Sequence, residues 1–285
     1  MHGVPGAWFG CGMAWLLAVA WAGAVPPPDA AAFPNGKAKD GAARKLESAD
    51  ARERLISEEK IEFDGVAVRV VRVDAGRLRV VWRDPDGLPL RTFGRVRQEL
   101  AKDGKRVRFL MNAGIFETGG VPSGLHVEAA KTLRPLNEAD GKGNFYLQPN
   151  GVFAVFGTGA KAEPFVGDRA AWQVRLRAAG HGAPLMLAVQ SGPLLLLDGV
   201  PHPAFRQDSA NRRHRNGVGV DDHNRVVFAI TGAGQVVNFW DFAKLFRHLG
   251  CRNALFLDGD LSQMTVEPGD SLPSNRFGAM FVVAE

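Results

Sequence analysis

Residues 253 to 264 read NALFLDGDLSQM, an apolar run that ends in Asp258-Gly259-Asp260 and is followed by Ser262 and Gln263. Carboxylates where a buried strand would end fit an ordinary turn, which favours Asp and Gly. They also fit a site at the strand's carboxyl end. In the first reading Asp258 accepts hydrogen bonds from nearby main-chain amides and holds the loop in shape. In the second it is partly desolvated, where the pKa of a carboxyl can be tuned for proton transfer. Asp258-x-Asp260-x-Ser262 also presents hard oxygen atoms of the kind Ca²⁺ or Mg²⁺ accepts. No other cofactor is called for, and the cysteine count does not point to zinc.

Other polar groups stand within or just after apolar runs. LMNAGIFETGGVPSGLHV from Leu110 carries Asn112, Glu117 and His126; GNFYLQPNGVF from Gly143 carries Asn144. VQSGPLLLLDG from Val189 carries Gln190, Ser191 and Gly192, and RRHRNGVGV from Arg212 carries Arg213, His214, Arg215 and Asn216. Singly these are ordinary, because short amides serve turns and caps, and loop carboxylates and histidines are commonly just solvated.

The elements that must position them are mostly strands. IEFDGVAVRVVRVDAGRLRVVWRD alternates apolar and polar residues through Val66, Val68 and Val70, breaks at Asp74-Ala75-Gly76 and resumes through Leu78, Val80 and Trp82, which predicts two strands joined by a tight turn. A helix is expected over Gly94–Lys102 and a strand over Val107–Met111. Further strands are expected at Gly151–Phe156, Leu185–Val189, Leu194–Leu197, Gly217–Val220, Val226–Ile230, Ala254–Leu257 and Ala279–Val283. Phe239, Phe242, Leu245, Phe246 and Leu249 stand at helical spacing with Gly250 as a stop. The expected fold class is α+β: one domain, 61–285, with a mixed, strand-rich central sheet and a few packed helices.

Ahead of that domain, Ala7 to Val25 is uncharged and apolar and leads through small residues to prolines, the pattern of a secretory signal peptide or an uncleaved membrane anchor over 1–24. Residues 25–60 read as a flexible linker and a short surface helix. The expected location is therefore periplasmic or extracellular, with membrane contact only through an uncleaved N-terminal segment. Cleavage would remove Cys11 and leave Cys251 without an internal disulfide partner. The net charge of +5 is not organised into a nucleic-acid-binding module, and export removes most such partners, so an anionic small substrate or envelope polymer fits better.

Taken together and in order, NAG with an aromatic at Phe116, GNFY…PNGVF, QSGP.L, RNGVG and the terminal LDG resemble the phosphodiester glycosidase family, from about Val107 to Val283. The family's best-known activity removes an N-acetylglucosamine that covers mannose 6-phosphate. At the last motif many members have LDGGGSS; this chain has LDGDLSQ, and looks like a bacterial branch often labelled a domain of unknown function. The resemblance implies cleavage of a glycosyl phosphodiester. A phosphate leaving group is weakly basic, so the chemistry needs a cation for the phosphate and carboxylates for the oxocarbenium-like centre or for water. Arg215 matches the family arginine and suits the first role; Asp258 is the foremost carboxylate, and Glu117 and His126 are the further catalytic candidates. Asn112, Asn144, Gln190, Ser191, Asn216 and Ser262 would bond sugar hydroxyls or phosphate, with Gly192 and Gly259 allowing close backbone approach. Asp258 and Asp260 are the metal candidates. The leading expectation is an exported hydrolase of an envelope or extracellular glycan. The rivals are a non-catalytic envelope protein binding glycan or anionic polymer, and a metal-dependent phosphohydrolase.

Overall fold

The computed structural model describes residues 56–180, 182–267 and 274–285. The expected leader and nearly all of the expected linker and surface helix lie outside these residues. Where that helix does overlap them, Ile56–Lys60 are strand instead, because they pair in register with Arg69–Val73. Among the described residues no helix is long and apolar enough to cross a membrane.

Strands are numbered here in chain order. The largest sheet runs β1 (Ile56–Phe63), β2 (Val66–Val73), β15 (Val226–Thr231), β14 (Asn216–Asp221), β16 (Cys251–Asp258), β12 (Leu194–Leu197), β13 (Val200–Pro201). A second runs β10 (Glu163–Gly167), β9 (Gly151–Phe156), β11 (Leu185–Ser191), β7 (His126–Glu128), β8 (Lys131–Arg134). A third runs β17 (Met264–Val266), β4 (Val107–Asn112), β18 (Met280–Ala284), β3 (Arg79–Val81). A small hairpin pairs β5 (Phe116–Glu117) with β6 (Val121–Pro122). The strand-rich α+β single domain is as expected, with one difference: the core is shared among sheets instead of lying on one central sheet.

Val71, Phe228 and Leu255 of the first sheet, Phe153 and Val189 of the second, and Phe109 and Phe281 of the third meet in one buried cluster. Each sheet then has its outer face covered by one helix. The helix α1 (Phe93–Lys102) packs on the third sheet, α2 (Arg169–Ala179) on the second and α3 (Phe239–His248) on the first. Thr92, Asp168 and Asn238 cap them, each accepting a main-chain N–H of the first turn.

This layering explains the uninterrupted apolar runs. In β16, Leu255 and Leu257 face the shared core while Ala254 and Phe256 face α3, so no position from Ala254 to Leu257 is free to be polar. On β14 the helix comes so close that a Cβ at Gly217 would lie 2.9 Å from the Leu255 carbonyl oxygen and 3.0 Å from the Phe246 ring. Glycine in that strand is a packing requirement.

The expected turn at Asp74-Ala75-Gly76 is present, but the strands it joins enter different sheets, and β2 pairs with β1 instead. Helix α2 was not anticipated. Among its residues only Trp172 is buried, and Val174 and Leu176 face solvent, so it shows no apolar stripe.

Candidate active site

Ends of strands from all three sheets converge. Asn112 is the last residue of β4, Asp258 the last of β16, Ser191 the last of β11, and Asn216 the first of β14. Asn216 pairs with Asp258, and the next pair is Gly217 with Phe256, which leaves Leu257 unopposed. A bulge of this kind re-aims the side chain beside it. The Leu257 carbonyl freed there accepts the hydroxyl of Ser191 at 2.9 Å.

Three residues then close a ring. The Asp258 main-chain N–H donates to Asn216 Oδ1 (2.8 Å), Asn216 Nδ2 donates to Asn112 Oδ1 (2.9 Å), and Asn112 Nδ2 donates to Asp258 Oδ2 (3.3 Å). Main-chain donors fix both amide orientations. Asn112 Oδ1 also accepts the Gln263 N–H at 3.0 Å, and an N–H can face only an oxygen. The other carboxylate oxygen of Asp258 accepts the Gly259 N–H at 2.8 Å.

Asp258 is only partly exposed. Burial pushes its carboxyl up to about 6; the bonds from Gly259 and Asn112 pull it down, and the charge of Asp260 raises it further. Such a group changes charge close to neutrality.

Arg215 precedes Asn216 and is buried, at 1% exposure. Its Nε donates to the Val237 carbonyl (2.8 Å) and its Nη2 to that of Asn211 (3.0 Å), and the guanidinium lies 3.7 Å from the Phe239 ring centroid. It has no ion-pair partner among the described residues. Burial brings its pKa down to about 10; Asp260 opposes that and Arg213 adds to it, so the group stays charged at neutral pH. The carboxylate that acts on Arg215 is thus Asp260, which is exposed.

The loop after Asp258 is held by His214. Arg215 N–H donates to Thr231 Oγ1 (3.1 Å), which lies 2.7 Å from His214 Nδ1, and His214 Nε2 lies 3.1 Å from the Ser262 carbonyl. A carbonyl accepts only, so Nε2 carries a proton toward Ser262, and the Thr231 hydroxyl is placed to donate to Nδ1. Ser262 Oγ is buried without a hydrogen-bond partner. Thr231 escapes sequence reasoning, because a threonine ending an apolar strand carries no signal.

Several expected ligand groups are spent internally. Gln190 Oε1 accepts from Leu125 N (3.0 Å) and Asn137 N (2.8 Å), and its Nε2 donates to Asn137 O (2.8 Å), so Gln190 clamps a loop. The close approach allowed by Gly192 is to its own chain: a Cβ there would meet Asn150 at 2.7 Å and the Phe145 carbonyl at 2.9 Å. The Ser191 hydroxyl donates its hydrogen bond to the Leu257 carbonyl. His126 has no exposed surface, packs edge-on to Trp82 with Nε2 3.4 Å from Glu128, and has no hydrogen bond to the ring. Glu117 is exposed on the β5–β6 hairpin and Asn144 is exposed in the 144–146 turn, and no hydrogen bond joins either to the ring. Gly259 contributes the N–H that holds Asp258. For a metal, both Asp258 oxygens are already engaged, and among the described residues no three His, Cys, Asp or Glu side chains gather. Cys251 is buried and unpaired, with its thiol pushed up by burial.

Residues 105–279 match the family described as phosphodiester glycosidase. The chain belongs to that family. As a phosphodiester glycosidase-family member it is 32% identical over 213 residues to the uncharacterized protein YigE of Escherichia coli (strain K12), covering 74% of this chain and 78% of that one. Its fold is similar to the catalytic domain of zebrafish N-acetylglucosamine-1-phosphodiester alpha-N-acetylglucosaminidase, solved auto-inhibited by its pro-peptide. The TM-score is 0.56 at 16% identity, over 81% of this chain and 82% of that chain. The matched segment contains Asn112, Ser191, Arg215, Asn216 and Asp258, so every strand end of the site lies within the family domain.

Proposed function

We propose that this protein is an exported hydrolase that cleaves a glycosyl phosphodiester in a cell-envelope or extracellular glycan, with Asp258 acting at the anomeric centre and Arg215 anchoring the phosphate. The observation that carries the reading is a ring-held carboxyl with a pKa of about 6, paired in register with the residue next to a buried guanidinium that lacks an anion.

The division of labour follows from charge. At pH 7 a carboxyl with that pKa is about nine-tenths ionised. It is then suited to stabilise positive charge on the sugar or to activate water. The leaving phosphate needs little protonation and receives a cation instead. Asn112 keeps the carboxylate aimed, and the buried Ser262 hydroxyl is placed to bond a sugar or phosphate oxygen. Export rests on the apolar stretch Ala7 to Val25 and the small residues that follow.

The test is turnover of a synthetic sugar phosphodiester by the purified protein, its Asp258→Asn variant, and both with chelator. Turnover lost in the variant while ligand binding persists supports catalysis by Asp258. No turnover by a clean, folded parent sinks the reading. Unimpaired function of the variant would point to a binding protein, and activity that vanishes with chelator and returns with metal to a metal-dependent phosphohydrolase.

A further inference from the structure

We propose that Arg91 and Arg276 form a second anion-binding point at the rim of the site, taking a phosphate or carboxylate that the substrate carries beyond the scissile bond. The proposal rests on the glycosidase reading for its substrate, although the anion point itself stands on its own geometry.

Arg91 has φ +65°, a backbone conformation disfavoured for a side chain of this size. It is held there from both sides: Leu90 N–H donates to Trp82 O (2.9 Å), and Phe277 N–H donates to Arg91 O (2.7 Å). Its guanidinium lies against Gly120, where any side chain would collide with Nη1, and faces the Phe116 ring at 5.5 Å. Backbone and cover are thus both arranged around one cation.

Among the described residues that cation has no counter-charge. Its Nε is buried with no hydrogen-bond partner, and Arg91 forms no ion pair among the described residues. Arg95 and Arg97 on the helix that follows are paired, with Asp84 at 3.0 Å and Glu267 at 2.6 Å. The charge that acts on Arg91 is another arginine, Arg276, which is exposed and likewise unpaired among the described residues. The two are neighbours because segments 91–93 and 274–277 run side by side. Phe93 N–H donates to Ser274 Oγ (2.9 Å), Phe277 N–H donates to Arg91 O, and the rings of Phe93 and Phe277 lie 5.1 Å apart. Adjacent guanidinium groups repel unless an anion lies between them, and their planar forks suit an oxyanion.

The segment bearing Arg276 is stapled to the loop after Asp258. Asn275 N–H donates to Gln263 Oε1 (2.6 Å) and Asn275 Nδ2 to Leu261 O (3.0 Å), while Gln263 N–H reaches Asn112 in the ring. Phe116, under Arg91, follows Ile115, whose N–H points at Ser191 Oγ (3.5 Å). Both halves of the pair are therefore tied to the site, and the chemical class implied is a substrate with more than one negative group.

Two synthetic sugar phosphodiesters, one with an uncharged aglycone and one whose aglycone ends in a second phosphate, are compared on the full chain and on Arg276→Ala. That variant is at the surface and spares the packing of Arg91. The expected preference for the second compound in kcat/KM is about tenfold, falling toward unity in the variant. Equal kcat/KM in the parent, or a preference the variant keeps, overturns the inference and leaves the glycosidase reading standing. If neither compound turns over, the glycosidase reading is what fails. Titration with inorganic pyrophosphate then decides the anion point: about tenfold weaker binding in Arg276→Ala upholds it, whereas equal affinity, or no binding to the parent, overturns it.

Discussion

Asn112 can give its amide to Asp258 only because its own oxygen is committed elsewhere. Oδ1 accepts from Asn216 Nδ2 and from the Gln263 main chain, so Nδ2 must face the carboxylate at 3.3 Å. The ionised form of Asp258 thereby has one donor from β4 and one from Gly259.

The pH–rate profile should show a limb near pH 6 from Asp258. In Asn112→Ala the carboxylate loses a donor to its charged form, so the limb should move upward, by about one unit. A limb that stays in place would mean that Asp258 does not titrate in the catalytic cycle.

Stability should carry the same signature with a defined sign. The folded pKa of Asp258, about 6, exceeds the unfolded value, so the native state binds more protons between roughly pH 4 and 6. Stability contributed by the protonated group is present below that window and lost as the pH rises through it, up to about 3 kcal/mol before allowance for partial exposure. Asp258→Asn should flatten this slope in denaturant titrations at pH 4 and pH 7. Its gain at pH 7 should be smaller than the full amount. With its oxygen kept on Gly259 N–H, the new amide would turn donors toward Asn112.

Arg215→Met should separate binding from folding. It removes a buried charge with no ion-pair partner among the described residues, so stability should change by only about 1 kcal/mol in either direction. Activity should drop by about a hundredfold, from loss of the phosphate anchor. Chemical denaturation and kcat/KM measured on the same preparation check both; a variant that fails to fold would make Arg215 structural.

Thr231→Val keeps shape and removes the hydroxyl that accepts from Arg215 N–H and donates to His214. A buried N–H left unpaired costs about 1–3 kcal/mol. The imidazole also loses the bond that selects its tautomer, so the 259–262 loop should loosen and kcat should fall more than KM rises. Unchanged kcat would place His214 outside catalysis.

The strand ends were legible in sequence because β16 and β14 are buried on both faces, which forces uninterrupted apolar runs whose first polar residues, Asp258 and Asn216, mark the ends. The partners of those residues were not. Asn112 is 146 positions from Asp258, and no local pattern records that an amide will be turned by main-chain N–H groups from other strands. Gln190 and Gly192 misled for the opposite reason: a side chain satisfied by its own loop has the same composition as one waiting for a ligand. His126 follows a motif closely, yet alternation along β7 carries it into the core. Arg91 gave no signal, since its importance lies in a backbone angle.

The third sheet has a consequence for when activity appears. In it β18 lies between β4 and β3, and Met280 pairs with Asn112. A chain synthesised from its N-terminus therefore makes both amides well before the strand that sets one of them in place. The candidate site stays incomplete until β18 docks, and trimming β18 should abolish any turnover together with the packing of Phe281 and Val283 in the shared core.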